Sequence, residues 1–145
     1  MRITVLTRLA LPALALALLL SSAALAETVT YMADLKGSDE VPPNDSKGTG
    51  MVEAKYDSAT MKLTYTVTYS GLSGPATAAH FHGPAKPGSN AGPVITLSGK
   101  LDSPIKGEAT LTQAQAQDLA NGMWYLNVHT AAHASGEIRG QIAKK

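Results

Sequence analysis

Four histidines are the residues of this chain best suited to chemistry, and all of them fall in two short segments. His80 and His82 flank Phe81, and residues two apart in a β-strand project to the same face of a sheet. Both imidazoles would then lie on one face while Phe81 enters the core. His129 ends a second apolar segment, and His133 follows four residues later. If the two segments pair as strands, the pattern predicts a metal site formed by His80, His82 and His129, with His133 as a fourth ligand or an outer contact.

The ligand types indicate which metal such a site would hold. The chain contains no cysteine, which excludes thiolate copper sites and iron–sulfur clusters. Imidazole nitrogen suits copper and zinc, and copper(II) binds a given nitrogen site more tightly than its first-row neighbours. Copper is therefore the first expectation and zinc the second.

A metal-binding imidazole also needs a hydrogen-bond acceptor for its other ring nitrogen, because that bond fixes the tautomer. Asn127, Thr130 and Glu137 are the candidates close to His129 in the sequence. Arg139 is two residues from Glu137 and would share its strand face. This polar strip, which also includes Gln141, would form a cross-strand ion pair, orient the histidines or steer an anion toward the metal.

Other kinds of catalysis find little support in the sequence. The chain has no thiol nucleophile and no Gly-x-Ser-x-Gly motif. The carboxylates are scattered apart from Asp39 and Glu40. This pair lies in a loop beside Pro42 and Pro43, where a solvated or turn-capping role is expected. A formal charge of +1 without a basic patch argues against nucleic acid as a partner. The sequence favours a protein that is not an enzyme, and a copper-dependent oxidoreductase with a coordination position open to substrate stays an alternative.

Residues 1–26 have the pattern of a secretory signal peptide that is cleaved after Ala26. Arg2 and Arg8 form a basic start, residues 9–20 are nearly all Leu and Ala, and Ala24, Leu25 and Ala26 form a cleavage site. The mature domain would be residues 27–145, periplasmic or secreted, with no membrane span left after cleavage. A homodimer that completes the ligand set, or a periplasmic protein, is the expected protein partner.

The alternation of apolar and polar residues indicates an all-β fold. The clearest example is 61–69, where every second residue is apolar and the residues between are polar. Strands are predicted at 28–35, 48–56, 61–69, 76–82, 94–101, 106–111, 123–130 and 137–142. The expected fold class is an antiparallel β-sandwich or Greek-key barrel of about seven or eight strands with one short helix. The helix is predicted over 112–121, where Thr112 and Gln115 fit a capping box and Gly122 can end the helix.

Four motifs, in this order, resemble the CHRD domain, a family named for chordin. They are SDEVPP at 38–43, HFHGPA at 80–85, YLNVHT at 125–130 and GEIRGQ at 136–141. The resemblance runs from about residue 31 to residue 142 and implies an all-β sandwich. The family also occurs as small exported bacterial proteins. Its motifs include His80, His82 and His129, whereas His133 falls where the family pattern is looser.

Two functions of different classes follow from these residues. The first is an exported metal-binding protein that binds, buffers or hands over copper through its histidine cluster. The second is a protein-interaction module in which the histidines are structural and form hydrogen bonds across strands. A chelator would remove the ion from the first and leave the partner of the second in place.

Overall fold

The computed structural model describes residues 25–145, which form one antiparallel sheet of nine strands and one short α-helix. The elements are β1 (Thr28–Lys36), β2 (Thr49–Asp57), β3 (Lys62–Ser70), β4 (Ala76–His82), β5 (Pro93–Thr96), β6 (Ile105–Thr110), α1 (Gln113–Ala120), β7 (Tyr125–Thr130), β8 (Ile138–Gln141) and β9 (Ala143–Lys144). The predicted all-β class with one helix is confirmed. The predicted signal peptide lies outside the described residues except for its last two positions, and its cleavage stays a prediction.

The hairpin of β2 and β3 shows why the alternating pattern works. On β3 the alternate residues Leu63, Tyr65 and Val67 are buried. Thr64 and Thr68, which have the opposite phase of the alternation, are exposed. Successive strand residues point to opposite faces, so one face of the hairpin enters the core. The predicted hairpin is confirmed with its ends shifted by one residue.

The strands follow the order β5-β4-β7-β8-β1-β2-β3-β6, with β9 paired to β1. This sheet curves into a nearly closed barrel, since strands far apart in the order still meet in the core. The ring of Tyr65 on β3 packs edge-on against that of Phe81 on β4, with their centroids 5.3 Å apart. The barrel interior therefore holds one shared hydrophobic core.

Helix α1 has the ends that the sequence predicted. The Thr112 hydroxyl accepts from the Gln115 N–H, and the Gln115 side chain accepts from the Thr112 N–H, so the capping box is complete. Gly122 has a φ of +69° after the helix, a conformation that glycine adopts at little cost. Leu119 fixes the helix to the barrel because its side chain is fully buried.

The largest differences from the predicted strands lie at β5, β7 and β9. β5 stops at Thr96 rather than residue 101, and Gly99 beyond it has a φ of +86°, which turns the chain. β7 starts at Tyr125 because the N–H of Met123 is still bonded to the helix, at the Asp118 carbonyl. β9 was missed, since its two residues are exposed and carry no pattern.

Candidate metal centre

Strands β4 and β7 are hydrogen-bonded neighbours, as the prediction of a shared site required. They run antiparallel, with His80 opposite Asn127 and Ala78 opposite His129. The inward faces of both strands are apolar, and Phe81 and Val128 are 0% exposed. Because the alternate residues must then project outward, the histidines of the two strands meet on the outer face of the barrel.

His80, His82 and His129 form a cluster that could hold a metal ion. Each offers one ring nitrogen, and these three nitrogens all lie within 4.8 Å of one another. The closest pair is Nδ1 of His80 and Nε2 of His129, 3.0 Å apart. Three convergent imidazoles are a ligand set that copper and zinc accept.

Backbone carbonyls contact Nδ1 of two of these rings. His129 donates from Nδ1 to the Ala134 carbonyl at 2.9 Å, whereas His82 has an oxygen acceptor at each nitrogen, the Ala91 carbonyl 2.9 Å from Nδ1 and Oδ1 of Asn127 3.0 Å from Nε2. A neutral ring that donates from Nδ1 keeps its lone pair on Nε2, and Nε2 of His129 is the nitrogen that faces His80. Carbonyls of the loops after β4 and β7 therefore fill the role for which the sequence suggested side chains.

Burial favours the neutral form of His80 and His82. Burial lowers the pKa of His80, and the neighbouring His129 and His82 lower it further. Burial also lowers the pKa of His82, against the hydrogen bonds to Ala91 and Asn127, which raise it. Neutral imidazole is the form that binds a metal, so these rings need little proton release at neutral pH.

Aromatic stacking adds a second constraint on His82. Its ring lies parallel to that of Tyr125, with an interplanar angle of 1° and centroids 4.7 Å apart. The guanidinium carbon of Arg139 lies 3.5 Å from the Tyr125 ring centroid, a cation–π contact. Arg139 is itself held by the side chain of Asn90 at 2.7 Å and the carbonyl of Ser89 at 2.6 Å. Arg139 therefore acts on the cluster through Tyr125.

Glu137 orients the loops beside the cluster. Within the described residues 25–145, it makes no hydrogen bond to any of the three histidine rings. Its carboxylate is 0% exposed and accepts hydrogen bonds from the hydroxyls of Ser46, Ser73 and Thr130. Burial alone would raise the pKa of Glu137, but these hydrogen bonds outweigh burial and lower it to about 2. The suggested cross-strand ion pair of Glu137 or Arg139 is absent within the described part of the chain, since hydroxyl donors occupy the Glu137 carboxylate.

Asn127 is the predicted outer residue that contacts a ring of the cluster. Its Oδ1 atom lies 3.0 Å from Nε2 of His82. The sequence missed the residue behind it, Glu40, which is only 6% exposed. A Cβ atom at Gly136 would collide with Oε1 of Glu40 and lie 2.6 Å from Nδ2 of Asn127. Glycine at this position therefore lets the carboxyl and the amide pack closely together.

The Asp39-Glu40 pair was predicted to be solvated or to cap a turn, and Glu40 is not solvated: its side chain is buried, while its backbone N–H caps the short turn 37–39 at the Gly37 carbonyl. Burial raises the pKa of Glu40 to about 7, although Arg139 and the Asn127 amide lower it in part. Asp39 is exposed, as expected. The signal that could have identified Glu40 is its place beside Val41 and two prolines, an apolar and rigid segment.

His133 lies outside the cluster of three rings. Its backbone closes the turn after β7: its N–H donates to the Thr130 carbonyl at 3.2 Å, and its carbonyl accepts from Gly136 at 3.1 Å. The structure therefore assigns His133 a backbone role in this turn. Ligation by His133 stays a prediction.

Comparison with known proteins supports the family that the four motifs suggested. Within residues 25–145, no helix is long and apolar enough to cross a membrane. Neither the curated proteins nor the solved structures gave a match to the chain. The family model of the CHRD domain matches residues 31–142, which include all three clustered histidines, Asn127 and Glu40. The chain therefore belongs to the CHRD domain family.

Proposed function

We propose that this protein is an exported metal-binding protein that holds copper, or zinc as the second choice, at His80, His82 and His129. The observation that carries the proposal is the convergence of one nitrogen from each ring within 4.8 Å. The tautomer of His129 supports it, since the Ala134 carbonyl holds the proton on Nδ1 and leaves the Nε2 lone pair directed toward His80. The function is binding, buffering or handover of the ion.

The exposure of the three rings suits an ion that enters and leaves. His82 and His129 are each 9% exposed, whereas His80 is more open. Without a metal, Nδ1 of His80 donates to Nε2 of His129, because the other nitrogen of His129 is already a donor. Metal binding at these two nitrogens moves the His80 proton from Nδ1 to Nε2. His80 is therefore the ligand that adjusts when the ion binds.

The direct test is elemental analysis of the protein purified without a histidine tag from its own compartment. We expect close to one copper or zinc ion per chain. Copper(II) titration followed by electron paramagnetic resonance should show hyperfine coupling from imidazole nitrogens. The proposal fails if the purified protein carries neither metal and does not bind either when it is added.

A second function, a protein-interaction module with structural histidines, is favoured by one observation. The three rings already have hydrogen-bond partners in the absence of a metal, at His80–His129, His82–Ala91 and His129–Ala134. These bonds could hold β4, β7 and their loops without an ion. A pull-down from a periplasmic extract separates the two functions, because an interaction module keeps its partner in the presence of a chelator.

A further inference from the structure

Strand β6 forms a free edge of the sheet. Within residues 25–145, the strand order ends at β5 on one side and at β6 on the other, and β6 pairs with β3 alone. The other end strand, β5, has four residues and begins with Pro93, which has no N–H group to donate. A short strand with a proline is a common form of edge protection. β6 is therefore the edge of the described sheet that another strand can join.

The hydrogen-bonding groups on the outer side of β6 belong to Lys106, Glu108 and Thr110. The N–H of Leu111 donates to the Met61 carbonyl at 2.8 Å, which continues the ladder between β6 and β3. Because alternate residues of an antiparallel edge strand bond to the same neighbour, the odd-numbered residues of β6 also face β3. Within the described residues, the backbone groups of the even-numbered residues make no bond outside the strand ladders. They are therefore free to bond to an additional strand.

Side-chain burial also shows that this edge is open. Gly107 and Ala109 have the inward phase of Ile105, which is 1% exposed, yet both of them are partly exposed. On the neighbouring strand β3, the inward residues Leu63 and Val67 are fully buried. A strand added beside β6 would cover the exposed parts of Gly107 and Ala109.

The charges along the edge fit a second copy of the same strand. Lys106 and Glu108 are exposed and project from one face, since they are two residues apart. If two β6 strands pair antiparallel with Gly107 on the two-fold axis, Lys106 of each copy lies opposite Glu108 of the other. An axis at residue 106 or 108 would instead place Lys opposite Lys or Glu opposite Glu. Opposite charges across strands stabilise a pair and like charges destabilise it, so the charges select the axis at Gly107.

We propose that two copies of this chain form a dimer by antiparallel pairing of their β6 strands, with Gly107 on the two-fold axis. Lys106 of one copy and Glu108 of the other then exchange both of their backbone hydrogen bonds and form an ion pair, and the symmetry repeats this contact. The sheet continues from one protomer into the other. β6 contributes no residue to the histidine cluster, so this inference is independent of the proposed metal function.

The test is sedimentation equilibrium of the purified protein from micromolar to millimolar concentration, in EDTA so that no metal links two copies. We expect a reversible equilibrium between monomer and dimer. Lys106→Glu places like charges opposite each other on both sides of the axis and should weaken the dimer at least about tenfold, as should Glu108→Lys. Lys55→Glu and Glu53→Lys make the same charge changes at side chains of β2 that reach solvent, and they should leave the dimer unchanged.

A mixture of the two edge variants tests the position of the axis. Lys106→Glu leaves two glutamates on its edge and Glu108→Lys leaves two lysines. An equal mixture should therefore form a heterodimer at concentrations where neither variant dimerises alone. The double variant Lys106→Glu with Glu108→Lys should dimerise as the wild type does, because each pair keeps opposite charges.

Amide hydrogen exchange of the wild type locates the contact without any substitution, so it decides the question even if a variant does not fold. The amides of Lys106 and Glu108 should exchange more slowly as the protein concentration rises. The amide of Gly107, which already faces β3, should change little. The proposal is overturned if the protein stays a monomer at millimolar concentration, if a dimer forms without slowing the amides of Lys106 and Glu108, or if the mixed variants associate no more tightly than each variant alone.

Discussion

Removal of one clustered imidazole should remove most of the stabilisation that copper gives this protein. His129 is the most informative position, because its Nε2 atom is 3.0 Å from Nδ1 of His80 and its other nitrogen is held by the Ala134 carbonyl. His129→Ala removes one of the three nitrogens that converge within 4.8 Å. The matched control is His133→Ala, which removes an imidazole four residues away that lies outside the cluster.

The size of the effect follows from linkage. A ligand at one hundred times its dissociation constant stabilises the native state by about 2.7 kcal/mol, which raises the melting temperature of a domain of this size by about 10 °C. Loss of an outer hydrogen-bond partner already weakens metal affinity by about 10- to 100-fold. If loss of a direct ligand weakens it at least 100-fold, the same copper concentration stabilises His129→Ala by only about 0.4 kcal/mol.

The assay is thermal unfolding by circular dichroism, with and without copper(II), on protein without a histidine tag. The metal-free melting curves of both variants are measured first, since His129→Ala also loses the bond to Ala134. His133→Ala should keep the full copper-dependent shift. The reasoning is refuted if His129→Ala keeps that shift, or if His133→Ala loses it.

Three further predictions concern groups around the site. The native state favours neutral Glu40, so the free energy of unfolding includes a contribution that is fully present below about pH 4.5 and is lost as pH rises through about 7. Urea unfolding should therefore show Glu40→Gln gaining up to about 3 kcal/mol relative to wild type between pH 4 and pH 8. A difference between the two proteins that stays constant with pH contradicts this. Ionised Glu137 stabilises the fold above about pH 4.5, and this stabilisation is lost as pH falls toward 2. Glu137→Gln should lower the free energy of unfolding by about 3 kcal/mol at pH 7 and by less at pH 3. Equal losses at the two pH values count against this role of the carboxylate. Gly140→Ala should destabilise the protein by about 2 kcal/mol in chemical unfolding, because the new Cβ atom would collide with the Asp34 carbonyl. The control Gly74→Ala adds a Cβ atom that faces open space and should change the free energy of unfolding little. Similar losses in the two variants would show that the collision at Gly140 is relieved.

Local spacing along the chain was enough to predict much of the fold. The alternation over 61–69 depends only on the two-residue period of an extended backbone, and the structure buries Leu63, Tyr65 and Val67 accordingly. The same period placed His80 and His82 on one face. The capping box of Thr112 and Gln115 is equally local, since it joins residues three apart.

The tertiary structure decided which distant groups surround the histidines. The pairing of β4 with β7, which brings His129 to His80, depends on packing across the core. The carbonyls of Ala91 and Ala134 that contact the rings of His82 and His129 belong to loops, and any residue type offers such a carbonyl. Residue types therefore gave no signal for them. Glu40 is the clearest case: its residue type predicts solvent exposure, and only the chain packed around it buries it behind Asn127.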